Sequence, residues 1–112
     1  MQLTLAVDAR QDSPAVSAEE QDWLVGVLAG KGWLRAKEIE ESTGVNERRI
    51  RAIARACRPF VVSFPGSPGY KLWRDCTPEE IQHCIRAFES QRDDMSASHL
   101  IYFRAHHSGF RG

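Results

Sequence analysis

At Pro59 the chain changes its apolar period, and this switch constrains the fold more than any other feature. Upstream, Ile50, Ile53, Ala54 and Cys57 recur at the three-and-four spacing of one helical face. Proline has no N–H to donate and a fixed φ, so the helix cannot continue through it. Downstream, FVVSF and YKLWR are β-branched and aromatic runs separated by PGSPG, whose prolines and glycines fix a turn, so the pair reads as a hairpin. The expected class is α+β.

The other elements follow from local punctuation. Ser17 and Glu20 have capping-box spacing, and Trp23, Leu24, Val27 and Leu28 then recur at helical spacing until Gly30. KGWLR is a short extended link; AKEIEEST is a brief helix anchored by Ile39 and stopped by Gly44; Asn46 caps ERRIRAIARAC. Thr77, Pro78 and Glu80 form another capping box with proline in the first turn, followed by Ile81, Cys84, Ile85 and Phe88 on one face. No glycine or proline occurs after Pro78 as far as Ser108, so this end is either one long helix or two that break near SQRDD, with Asp93 or Asp94 as a cap. The first seven residues alternate, Leu3, Leu5 and Val7 against Gln2, Thr4 and Ala6, as a half-buried strand does. These readings divide the chain into an arm over 1–16, a body over 17–76 and a helical extension over 77–112.

At 112 residues the chain has room for one small domain with a modest core. No window approaches the roughly 20 apolar residues of a membrane span. Cys57, Cys76 and Cys84 are odd in number and include no C-x-x-C pair, which points to reduced thiols rather than a disulfide framework. The expectation is a soluble intracellular protein with no membrane association.

A formal net charge of zero conceals an asymmetry. Residues 1–47 hold four Lys/Arg against nine Asp/Glu, and residues 48–112 hold eleven against six. Seven cations and no acid fall between Arg48 and Arg74: Arg48, Arg49, Arg51, Arg55, Arg58, Lys71 and Arg74. Zero balance excludes a polyanionic partner only when charge is evenly spread, which it is not.

The order of strand, helix, link, helix, tight turn, helix, hairpin, helix, with Ile39, Gly44, Val45, Ile50 and Ile53 at the anchor, turn and core positions, resembles the winged helix-turn-helix family of DNA-binding domains over roughly residues 17–75. More loosely, the run from GWLRAKEIEESTGVNERRIRAIA through GYKL is similar to small winged-helix proteins of phages and prophages. The resemblance implies a three-helix core with a β-hairpin wing, a recognition helix over 46–57, PGSPG as wing tip, and action in the cytoplasm of a bacterial host cell. The chain departs from the pattern at Glu40. Alanine often follows the second-helix anchor, so either Glu40 faces solvent or the helices cross more widely.

Helix geometry assigns roles within that frame. If Ile50, Ile53, Ala54 and Cys57 face the core, Arg48, Ala52 and Arg55 lie opposite, with Arg51 beside them. An arginine fork can engage guanine or phosphate with two hydrogen bonds, and Ala52 is short enough for close approach or contact with a thymine methyl. Asn46, Glu47, Arg48, Arg51, Ala52 and Arg55 are therefore the candidate base readers. Arg49, Arg58, Ser67, Lys71 and Arg74, on the flanks and the hairpin, are the candidate phosphate contacts. The competing reading makes the arginines a solvated surface paired with Glu38, Glu40 and Glu41. Tyr70 and Trp73 read as sheet and core residues on opposite faces of a strand, so that at most one packs inward.

No histidine or cysteine pair has a zinc-finger spacing, and no nucleophile elbow, phosphate loop or paired carboxylates in a cleft appear. The expectation is no metal, no cofactor and no catalysis. The extension carries more apolar residues than a wing needs, and Ile85, Phe88, Met95, Tyr102 and Phe103 are candidates for a homodimer interface. The alternative is that its helices fold back to complete the chain's own core. The leading expectation is a sequence-specific reader of double-stranded DNA, a transcription regulator or another phage DNA-transaction factor; the other class is a protein-interaction module, such as a phage-encoded inhibitor of a host complex.

Overall fold

A computed structural model describes residues 15–89 and 97–112. The expected N-terminal strand, the Asp93 or Asp94 cap and Met95 lie outside these residues. The elements are α1 (Ala18–Leu28), α2 (Ala36–Thr43), α3 (Glu47–Ala56), β1 (Val61–Val62), β2 (Lys71–Leu72), a 3-10 turn (Trp73–Asp75), α4 (Pro78–Glu89) and α5 (Ala97–His107). The architecture is α+β, with five helices and a two-stranded antiparallel sheet among the described residues. No helix among them is long and apolar enough to cross a membrane.

The helix termini follow their caps. Ser17 Oγ accepts from the Glu20 N–H, and the Glu20 carboxylate accepts from the Ser17 N–H, closing the box at α1. Thr77 and Glu80 repeat this exchange at α4. Gly44 ends α2 in the left-handed region, φ 83°, and donates its N–H to the Glu40 carbonyl at 2.8 Å. Asn46 Oδ1 accepts from the Arg49 N–H at 2.8 Å and starts α3. Glu40 itself is partly exposed, beside fully buried Ile39.

β1 and β2 pair Val61 with Leu72 and Val62 with Lys71. Leu34, in the link after α1, adds an isolated bridge to Tyr70 through two backbone hydrogen bonds of 2.7 and 2.9 Å. Gly69 makes this possible: at φ 143° a Cβ here would sit 2.3 Å from the Leu34 carbonyl oxygen.

The hairpin has apolar packing on both faces. One cluster gathers Leu24 and Leu28 of α1, Ile39 of α2, Ile50, Ile53 and Ala54 of α3, then Cys57, Val61 and Leu72. The other gathers Val62 and Trp73 with Ile81, Cys84, Ile85 and Phe88 of α4 and Tyr102 and Ala105 of α5. This corrects the expectation that Tyr70 and Trp73 compete for one interior. Tyr70 packs against the first cluster and Trp73 belongs to the second, because α4 and α5 cover the face that a strand-only reading leaves to solvent. The strand also stops at Leu72, and Trp73 opens a 3-10 turn. The uninterrupted segment after Pro78 resolves into two helices packed on each other.

Candidate nucleic-acid interface

α3 rests on α1 and α2, and its outward side is fixed by the burial of Ile50, Ile53 and Ala54. Arg48, Arg51 and Arg55 are exposed and Ala52 lies half-buried between them. Arg51 donates to Glu47 Oε1 at 2.9 Å, an (i, i+4) bridge whose arginine keeps 58% of its side chain exposed. Such a pair is worth little and is readily exchanged for a phosphate. Asn46 is exposed, but its carbonyl oxygen is engaged as the helix cap, which leaves the amide NH₂ as its outward group.

Of the remaining cations of the run, Arg49, Arg58 and Lys71 have partners within the chain. Arg49 grips the Glu20 carboxylate with two hydrogen bonds of 2.6 and 2.8 Å and donates to the Ala15 carbonyl at 3.3 Å. That grip, with the Ser17 N–H, holds the Glu20 carboxyl down at about 2. Arg58 donates to Ser98 Oγ and lies 6.0 Å over the Tyr102 ring, on the side of the C-terminal helices. Lys71 binds both Glu80 oxygens, at 2.9 and 3.1 Å, and lies 5.6 Å over the Trp33 ring, while Trp33 Nε1 donates to the same carboxylate at 3.0 Å. Partial desolvation pushes the Glu80 pKa up, but the Thr77 N–H, Lys71 and Trp33 outweigh it and hold the carboxyl below its usual value. Arg74 is exposed and opens onto a different cleft, with Arg111 and His106. Ser67 Oγ is turned into the hairpin tip, where it donates to the Gly69 carbonyl at 2.9 Å. That tip, Pro65 to Gly69, carries no charge.

The structure thus gathers Arg48, Arg51 and Arg55 on one face and separates Arg49, Arg58, Lys71 and Arg74 from it. Glu38, Glu40 and Glu41 form no ion pair with these cations among the described residues; the acids that do so are Glu20 with Arg49, Glu47 with Arg51 and Glu80 with Lys71. Sequence reasoning found Glu20 and Glu80 as caps and missed their second role. Their partners lie 29 residues away for Arg49 and 47 for Trp33, distances at which no local spacing carries a signal. Tyr70, expected as a sheet and core residue, packs against the first cluster beside this helix. Burial raises its phenol pKa, and the nearby Arg51, Arg58 and Arg55 pull it back.

The candidate dimer residues have a different surrounding. Ile85, Phe88 and Tyr102 are buried in the chain's own second cluster and offer a second copy no open surface. Phe103 is partly exposed, between the rings of His99 at 5.6 Å and His107 at 4.3 Å. The large apolar side chains left exposed among the described residues are Phe60 and Ile101. The thiols lie in apolar surroundings, and burial pushes Cys57 up to about 11 and Cys76 and Cys84 up to about 12, far from the range of a nucleophile. No group of three His, Cys, Asp or Glu side chains among the described residues is placed to hold a metal ion. No family model, curated protein or solved structure matches this chain.

Proposed function

We propose that this protein is a winged helix-turn-helix reader of double-stranded DNA, a regulator of transcription or another phage or prophage DNA-transaction factor that acts in the cytoplasm. One observation carries the reading: α3 turns Arg48, Arg51 and Arg55 outward around the small Ala52, while its other side is sealed against α1 and α2. That is the form of a helix able to enter a major groove and reach guanine O6 and N7 with planar forks. The neighbouring cations serve this face indirectly. Arg49 fixes the start of α3 to α1 through Glu20, and Lys71 fixes the hairpin to α4 through Glu80.

A second reading has its own support. The uncharged hairpin tip and the internal pairing of Arg49, Arg58 and Lys71 leave less cation for a duplex than the sequence suggests, which favours a protein-interaction module with an acidic partner. Selection of duplexes from a random pool by the purified protein separates the two, since a protein-docking module enriches no sequence. On the selected site, Arg55→Ala is expected to cost about 1–3 kcal/mol and relax one position, whereas a base contact at Arg49 is not expected, because its fork is filled by Glu20. Equal losses on selected and random duplexes for Arg55→Ala would remove base readout from α3.

A further inference from the structure

We propose that the cleft between the 3-10 turn, the start of α4 and the end of the chain binds a small organic anion with a flat apolar body. The cleft has a volume of 340 Å³, within the range of small-molecule sites. Its floor is apolar and aromatic: Trp73, Ile81 and Phe110. The Trp73 indole donates its N–H to the Phe110 carbonyl at 3.1 Å, and the two rings meet edge to face at 5.1 Å, so the floor is held in place by its own contacts.

Arg74, Arg111 and His106 line the same cleft. Both arginines are exposed, and neither forms an ion pair among the described residues. No Asp or Glu side chain lines the cleft. Asp75 Oδ2 accepts from the Gly30 N–H at 2.9 Å, and Glu79 and Glu80 line a separate groove with Trp33, Phe64 and His83. Two guanidinium groups without an ion pair among the described residues and an imidazole over an aromatic floor, with no Asp or Glu side chain in the lining, select a carboxylate, sulfonate or phosphomonoester attached to a ring. A bare anion leaves the floor uncovered, and a neutral ring leaves the forks unmatched. The Arg48, Arg51 and Arg55 face does not line this cleft, so the site is independent of the proposed duplex contact.

The test uses the full chain, free of nucleic acid, with 2-naphthoate as probe, the neutral 2-naphthalenemethanol as isostere and inorganic phosphate as bare anion. Binding is followed by calorimetry and by the indole N–H resonance of Trp73, with those of Trp23 and Trp33 as internal controls for the fold. Expected is naphthoate binding with a Kd on the order of a millimolar or tighter and a shift at Trp73. The Arg74→Gln/Arg111→Gln double variant is expected to bind naphthoate at least about tenfold more weakly with the other indole resonances unmoved, and the alcohol and phosphate are each expected to bind the unmodified protein at least about tenfold more weakly. An unmoved Trp73, an alcohol as good as the acid, or an unaffected double variant would overturn the proposal. Phosphate binding as tightly as naphthoate would overturn it too, by making the arginines a simple polyanion contact.

Discussion

Two glutamates withdraw Arg49 and Lys71 from the outward cations of the basic run. Glu20 and Glu80 each cap a helix and hold a cation from another element, and the cation so held is withdrawn from the surface. The sequence made the caps legible because a capping box joins residues only three apart; the Arg49 and Lys71 clamps required the tertiary fold. A pH dependence follows from Glu20. Its folded pKa, about 2 against an ordinary 4.5, lies below the unfolded value, so the stability it supplies is fully present above about pH 4.5 and is lost as pH falls toward 2. Glu20→Gln is therefore expected to lower the urea midpoint near neutral pH, and the gap to the unmodified protein is expected to close as pH falls from 4.5 to 2. A gap that stayed constant across that range would mean that the Arg49 contact contributes no charge-dependent stability.

Among the elements, the hairpin explains both what was readable in advance and what was not. The change of period at Pro59 marked the end of α3 and the two runs after it, and the glycines of PGSPG marked the turn. Burial of both hairpin faces was not legible, because alternation in a five-residue run cannot say what covers the far side. The cover is α4 and α5, tied down by Tyr102, whose hydroxyl donates to the Val61 carbonyl at 2.8 Å and accepts from the Ser63 N–H at 3.3 Å. Burial raises its phenol pKa to about 12, so it remains a donor throughout the neutral range. Tyr102→Phe leaves the buried Val61 carbonyl and the part-buried Ser63 N–H without this partner and is expected to destabilise the protein by about 1–3 kcal/mol. Chemical denaturation reads this directly; a loss near zero would mean that water or backbone rearrangement satisfies the strand without α5.

For the whole molecule, the apolar surplus of the C-terminal helices and the arginine run both looked larger in the sequence than the folded surface allows. Ile85, Phe88 and Tyr102 complete the second cluster, and among the described residues the exposed large apolar side chains, Phe60 and Ile101, are too few to supply by themselves the area a stable homodimer buries. The chain is accordingly expected to sediment as a monomer at about 10 μM, the scale of a weak association; a dimer under those conditions would require an interface outside these surfaces.

The charge ledger gives the most direct test of the proposed duplex contact. With Arg49, Arg58 and Lys71 bound internally and Arg74 on another cleft, the cations of the Arg48 to Arg74 run left to displace condensed counterions at α3 are Arg48, Arg51 and Arg55. On a random duplex, where these forks meet phosphates instead of cognate base edges, affinity measured from low to moderate salt is predicted to fall with a log-log slope of about −2 to −3 per chain, and Arg48→Ala/Arg55→Ala is predicted to flatten that slope by about 2. A flat dependence, no binding at low salt, or a slope that the double variant leaves unchanged would contradict the assignment of this face to DNA.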